Sequence, residues 1–525
     1  MEQLAKSSST DRAAAPSAGK PLSIGTKLSA GAGESVINLG VNMPKEFGFV
    51  IYNLTLGVNA VLLGFVLAIP RLWDAISDPL MGSISDNTKS RWGRRKPYML
   101  LGGILSALLM AAICIPPSFL FSWFSTANKV GILGYHFSAA EWAAAFYFVL
   151  ISILFYTALT VFSVPYGALT LELTSDYGER TRLMSFRTAF TYVSGIMLGW
   201  MLYATKWQVW TDIAERNGAA DPIKQGELYG TWVVGGFAAL VLLLASLIPT
   251  FFLKEVAIAN PVSKPRPQKT KKMPMLETLR QTISMPTFIL IVLAYTTAFF
   301  GIILVIHLGQ YINIFYTHDG DKKLGLLAQA WANTFKPAAG LLTVFALNRL
   351  AHRVEKKIAW SACLSISLTG AILTWFMYSP ELKAWEPNFF GISLYLHPMI
   401  IPFCLLFPGL AATLMMSYSM IADVCDIDQL RSGRRREGMY WAVFNFVQKL
   451  ALSVALLMTG FTLSIAAFDQ NSIKQSAETI FSMRLWFTLT LIVSIAAAIV
   501  LVLCVPISRS RLAAVHAELA KRGLN

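Results

Sequence analysis

Charge is what this sequence has least of. Only 14% of its 525 residues are Asp, Glu, Lys or Arg, against about 25% in a soluble globular chain. With 55% hydrophobic residues and a mean hydropathy of +0.55, that deficit excludes an ordinary soluble domain. Cysteine is scarce as well. Cys114, Cys363, Cys404, Cys425 and Cys504 show no CxxC spacing, so neither a disulfide framework nor a zinc site is indicated. Acid is outnumbered, 29 Asp and Glu against 44 Lys and Arg. The surplus of +15 would suit a nucleic-acid binder. Here the basic residues fall in short loops between apolar runs, which the positive-inside rule explains with no nucleic acid partner. The chain has no GxxxxGKS/T phosphate loop, no HExxH pair and no GxSxG elbow, so neither ATP-driven transport nor an enzyme is expected. Residues 1–28 are polar and Ala/Ser-rich, without the apolar segment of a secretion signal; the first helix is expected to act as the insertion signal.

What the chain does have is apolar runs of about 18 residues or more, the length a helix needs to cross a ~30 Å hydrocarbon core. Twelve spans are expected, near 29–56, 58–84, 97–117, 141–168, 183–206, 229–253, 286–315, 326–348, 358–378, 397–422, 438–464 and 483–506. This is an all-α membrane protein. The expected organisation is an N-terminal tail (1–28), a six-helix bundle (29–253), a basic linker (254–285), a second six-helix bundle (286–506) and a C-terminal tail (507–525). Alternate loops are cationic, such as Lys89–Lys96, Arg180–Arg182, Lys264–Lys272, Arg349–Lys357 and Arg431–Arg436. That alternation puts both termini in the cytoplasm. Paired halves are common in secondary transporters, whose sites lie between the halves near the midplane.

The stretch RLWDAISDPLMGSISDNTKSRWGRRKP, Arg71 to Pro97, carries the first candidate site. Asp74 and Asp78 sit four residues apart inside an apolar run, on one helix face. A carboxylate near mid-bilayer costs roughly 2.5–3.5 kcal/mol, and two like charges at that spacing repel. Hard oxygen ligands suit Na⁺, Li⁺ or a proton, and Ser77 and Thr160 are grouped with the acids as further oxygen donors. Lys449, alone in the eleventh span, needs a carboxylate or a cavity; contact with Asp74 and Asp78 is the simplest balance of charge. Asp86, Arg91, Arg94 and Arg95 form a candidate gating loop between spans 2 and 3. Asn38, Ser163, Tyr166, Arg187, Trp441 and Asn445 are candidates for a substrate cavity, as hydrogen-bonding, cationic or stacking groups.

RLWDAISDPLMGSISDNTKSRWGRRKPY resembles the signature of the glycoside–pentoside–hexuronide:cation symporters, the melibiose permease family. VPYGALTLELTSDYGERTRLMSFR resembles that family's span 4–5 connection, and MIADVCDIDQLRSGRRREGMYWAVFNFVQKL its span 10–11 region. The resemblance implies a major-facilitator fold, alternating access, and uptake coupled to Na⁺, Li⁺ or H⁺, with no cofactor. It carries the cation-site acids onto Asp74 and Asp78, the span 4 threonine onto Thr160, the span 11 lysine onto Lys449 and the span 5 arginine onto Arg187. The sugar side departs: Asn38 and Ser163 stand where melibiose-type members have acids, and Gly167 where they have a stacking tryptophan. The expectation is a monomeric, multi-pass inner-membrane symporter for a glycoside or related sugar. A carrier of lysolipid-like amphiphiles and a non-transporting sensor on the same fold stay open as alternatives.

Overall fold

A computed structural model describes residues 22–522 other than 89, 117–128, 133–134, 175–176, 254–281, 352–353, 390–391, 434–435, 470–471 and 473. The tail expected at 1–28 and the linker expected at 254–285 therefore lie largely outside the described residues, as do Arg434 and Arg435.

The first half comprises α1 (Ile24–Gly48), α2 (Ala60–Asn87), α3 (Lys96–Cys114), α4 (Ala139–Glu172), α5 (Tyr177–Ala204), the short α6 (Gln208–Arg216) and α7 (Pro222–Phe252). The second comprises α8 (Pro286–Ile312), α9 (Lys322–Ala351), α10 (Lys356–Met377), α11 (Ile400–Ser432), α12 (Glu437–Ile465), α13 (Ala477–Leu503) and the terminal α14 (Arg509–Lys521). Nine described helices are long and apolar enough to cross a membrane. The remaining three long ones, α1, α5 and α9, run 25, 28 and 30 residues and carry more polar groups. Each expected span falls on one long helix. Two short hairpins, β1–β2 (129–132 with 135–138) and β3–β4 (388–389 with 392–393), lie in the connections.

Local chemistry accounts for the helix ends. Ser138 caps α4 in a reciprocal capping box with Glu141, satisfying two amides that would otherwise lack partners. Gly433, at φ +67°, ends α11 in the left-handed conformation, which costs a glycine nothing.

The packing repeats. In the first half α1 packs on α5 and α7, α2 on α4, and α3 on α4 and α7; in the second α8 packs on α12 and α13, α9 on α11, and α10 on α11 and α13. The leading helix of each half also ends alike, in a π-turn segment, Phe49–Thr55 and Asn313–Thr317. A buried asparagine crosses each turn: Asn53 donates to the Val58 carbonyl and Asn313 to the Gly325 carbonyl, both at 2.7 Å. The halves meet along α2/α12 and α5/α9. Gly460 makes the first crossing close, since a Cβ there would lie 2.4 Å from the Ala60 carbonyl oxygen.

The ends of the bundle differ. At the end opposite the termini, here called distal, contacts cross between halves. Phe49 meets Tyr311 edge-on at 4.7 Å. Lys322 of α9 reaches the Leu54 carbonyl at 2.8 Å and Glu227 of α7 at 3.3 Å. Glu227 also holds Lys206 at 2.6 Å and accepts from Thr55 at 2.8 Å. At the end carrying the termini, the described ion pairs stay within one half: Lys27–Glu179 at 2.9 Å, Arg95–Glu172 at 2.6 Å, Lys356–Asp423 at 2.7 Å and Arg436–Asp428 at 2.5 Å. Of the two ends, the distal one is where described polar contacts tie the halves.

Replacing Glu227 with Gln leaves two cations around a neutral group, with Lys206 only 3% exposed. Breaking a buried pair costs about 3–5 kcal/mol, so E227Q is expected to melt well below the native protein in detergent. K322Q, which spares the Lys206–Glu227 pair, is expected to melt close to it.

His318 and His397 also sit at this end, outside the long helices, rings 5.2 Å apart. Both are buried. Burial, then the neighbouring His318, pushes His397 down to about 4, and burial lowers His318. The unfolded chain takes up a proton near pH 6.5, whereas folded His397 resists until about 4. Stability is therefore lost as pH falls through that window. Thermal unfolding at pH 7.5 and pH 5 is expected to show a smaller acid loss in H397Q, by on the order of 1 kcal/mol after allowing for solvent.

Candidate functional site

Residues from α2, α4 and α12 converge. Asp74 and Asp78 lie one turn apart on α2, beside Pro79, with Ser77 between them. Lys449 of α12 brings its ammonium to 2.6 Å from Asp78 Oδ2 and 3.1 Å from Asp74 Oδ2, and donates to the Asp74 carbonyl at 3.1 Å. The ion pair crosses between the halves, over 371 residues of sequence. Thr160 of α4 places its hydroxyl 3.1 Å from Asp74 Oδ1 and 3.0 Å from Asp78 Oδ1, with Ser77 Oγ at 3.3 Å.

One hydroxyl carries one hydrogen, so Thr160 can donate to only one of two ionised carboxylates. The other contact then sets oxygen lone pairs against a carboxylate with nothing between. A proton on one acid, or a small cation among these oxygens, removes that conflict. The donors are hard oxygens, as hard cations require. Side-chain exposure is 16% for Asp74, 38% for Asp78 and 24% for Lys449, so the cluster is not sealed.

A second feature is a cavity of about 450 Å³ between α1 and α5 of the first half and α8, α9 and α11 of the second. Asn38 lines it, donating to the Thr191 carbonyl at 2.8 Å. Arg187 does not line it, but binds Glu34, which does, through Nη2 at 2.6 Å and Nε at 2.8 Å. Of the other expected cavity residues, Tyr166 is fully buried, its hydroxyl on the Ala30 carbonyl. Ser163 is half-buried on α4 and absent from the wall. Trp441 packs on Tyr418 and Phe444, and Asn445 is exposed on α12. These four are not brought to the cavity. In the expected gating loop Arg94 and Arg95 both bind Glu172, tying the loop to the end of α4, and Arg91 is exposed; the Asp86 side chain lies outside the described residues.

Sequence reasoning passed over Glu34, Lys45, Glu46 and Arg71. The signal was available, because ionisable residues inside an apolar span are costly and functional by default. Arg71 is buried, its guanidinium on the Tyr156 ring at 4.2 Å and bonded to the Val41 carbonyl. Glu46 accepts from Gln310 of α8 at 2.5 Å, a further polar tie between halves.

Comparisons with known proteins bear on the family and the fold. The family described as MFS/sugar transport protein matches residues 31–509. The uncharacterized symporter sll1374 of Synechocystis sp. is 27% identical, over 84% of this chain and 86% of that one. The putative glycoside/cation symporter YagG of Escherichia coli is 22% identical, over 90% and 89%. Among solved structures, a bacterial homolog of the human lysosomal transporter Spinster superposes with a TM-score of 0.59 at 13% identity, over 94% and 98%. The match over most of the chain, twelve long helices among the described residues in two like-packed halves, and a charged cluster between them lead to one conclusion: this chain belongs to the MFS/sugar transport protein family, whose members are membrane transporters and not enzymes.

Proposed function

We propose that the protein is a cation-coupled symporter of a glycoside or related polar sugar, working by alternating access in the inner membrane with both termini cytoplasmic. The cation is Na⁺, Li⁺ or H⁺, held by Asp74, Asp78, Thr160 and Ser77. The observation that carries this reading is Lys449 bridging Asp74 and Asp78 from the opposite half. A resident ammonium offsets one of the two negative charges when no cation is bound. A visiting cation weakens that bridge, frees Lys449 and changes how α2 and α12 hold together. Because α2 and α12 join the two halves between which the cavity lies, cation and substrate each favour the other, by equal free energies.

The cavity's polar lining, with Asn38, Asn42 and Gln310, suits hydroxylated ligands. The amphiphile reading draws on a separate apolar groove of about 810 Å³, lined by Phe335 and Leu342 of α9 and Ile401 of α11. Uptake into vesicles, measured over sugars and lysolipids with Na⁺ and proton gradients imposed in turn, tests the proposal. Cation-stimulated uptake of a sugar is expected; uptake of lysolipid alone, or of nothing under any gradient, overturns it.

A further inference from the structure

We propose that the short helix α6 lies in the lipid headgroup layer at the distal face, with Val209 and Ile213 turned toward the acyl chains, and that this anchorage holds the ion-pair node at Glu227 in place, whatever the cavity carries.

α6 joins two long helices, α5 and α7, at the distal end. The second half has no described counterpart, since α12 is followed by α13 with no helix described between them. The faces of α6 differ. Trp210 and Ala214, one turn apart, pack inward: Trp210 donates to the Ala204 carbonyl at 2.8 Å, and Ala214 is fully buried. Gln208, Asp212 and Glu215, spaced by four and three, form a polar face, on which Gln208 donates to Asp212 at 3.3 Å. Val209 and Ile213, also one turn apart, form a third face that is apolar and exposed. Exposed Arg216 follows on the same side. A helix resting on a protein core in water needs only an apolar and a polar face; here a second apolar face looks outward.

Lipid is the cover that continuity assigns to it. On α7 the exposed Val233, Phe237, Leu240 and Leu244 recur at four, three and four residues, one face of a membrane-spanning helix. Exposed Ile223, at the distal start of α7, carries that surface toward α6, where exposed Trp207 and Val209 extend it. Tryptophan concentrates at membrane interfaces. Arg216 can rest its stem on apolar surface and extend its guanidinium to lipid phosphate. A helix with this division of faces lies in the interface plane, its apolar side about 5–10 Å deep. The same helix abuts the distal tie. Lys206, two residues before α6, binds Glu227 at 2.6 Å, and Lys322 reaches Glu227 from the other half at 3.3 Å. Gly226 and Gly230 flank Glu227 on α7 and seat α6: a Cβ on Gly226 would lie 2.7 Å from Thr211 Cα, and one on Gly230 2.7 Å from the Trp210 ring. α6 cannot shift without moving Lys206 or the turn of α7 that carries Glu227, so the lipid surface bears on the contact that joins the halves.

The test uses the full-length protein in nanodiscs of phosphatidylcholine and phosphatidylglycerol, with the exposed Cys504 replaced by Ser. A nitroxide is placed in turn on V209C, I213C, Q208C and E215C, all at surface positions. Its collision rates with oxygen, which favours lipid, and with a water-soluble nickel chelate are then compared. The oxygen-to-nickel ratio is expected to be about threefold higher at V209C and I213C than at Q208C and E215C, as their depth in the interface requires. Equal ratios at all four positions overturn the inference. So does low access of both reagents to V209C and I213C, the sign of a protein partner. Labels on E215C and K323C then read the distance from α6 to α9 by pulsed electron resonance. Adding V209D/I213D is expected to lengthen or broaden that distance by about 5 Å, the depth of anchorage given up. An unchanged distance distribution overturns the claim that anchorage holds the node.

Discussion

Asp78→Asn is expected to uncouple transport, cutting cation-stimulated uptake by ten- to a hundredfold while the protein still folds. The side chain keeps its shape, so Thr160 retains a partner at the position now 3.0 Å away. Its charge is lost, and the single remaining carboxylate, Asp74, is matched by Lys449 at 3.1 Å. The cluster then has no need of a visiting cation. A contact to a charged group contributes about 1.5–3 kcal/mol, and each 1.4 kcal/mol is a factor of about ten in affinity, which sets the expected range. Uptake in vesicles with and without a Na⁺ or proton gradient reads the effect. Native-like stimulation by either gradient in D78N would place the coupling ion elsewhere. Asp74→Asn is expected to behave alike, with the larger structural cost, because Asp74 is the more buried of the two.

Removing Lys449 has the opposite character. In Lys449→Met the two carboxylates face each other with only Thr160 between them. For a fully buried pair the loss of one partner costs about 3–5 kcal/mol. Asp78 keeps 38% of its side chain exposed, so the expected loss is lower, about 2–4 kcal/mol. K449M should therefore express poorly and melt early at neutral pH in the absence of Na⁺. Adding D78N to K449M removes the stranded charge and should recover at least half of the loss, a coupling that a double-mutant cycle measures directly. Melting temperatures of the four proteins in detergent check it. Purely additive losses would mean that the ion pair contributes nothing to the fold.

The parts of this structure that depend on nearest neighbours in sequence are legible in the sequence itself. Span lengths, cationic loops and the apolar runs dictate long helices with both termini at one end. Charge balance led from Lys449 to Asp74 and Asp78 because so few deep charges had to be matched. The cavity was not legible in the same way. Tyr166 and Ser163 are on the right helix, yet the rotation of α4 is set by packing, and Tyr166 turns to the Ala30 carbonyl. The polar wall is assembled by pairings such as Arg187 with Glu34, 153 residues apart, and Gln310 with Glu46, 264 apart. No periodicity within one helix encodes such pairings. Lys45 and Lys336 carry a readable signal, as cations inside apolar spans, but their lining one cavity depends on how the two halves dock.

The central claim is that a cation at Asp74 and Asp78 and a substrate in the cavity raise one another's affinity. The most direct measurement takes a glycoside that shows cation-stimulated uptake and determines its Kd by calorimetry with and without Na⁺ at several pH values, then the Kd for Na⁺ with and without that glycoside. The account predicts the same factor in both directions, above one in the native protein and equal to one in D74N/D78N. A glycoside affinity that ignores Na⁺ and pH in the native protein, or a factor that survives in D74N/D78N, would contradict it.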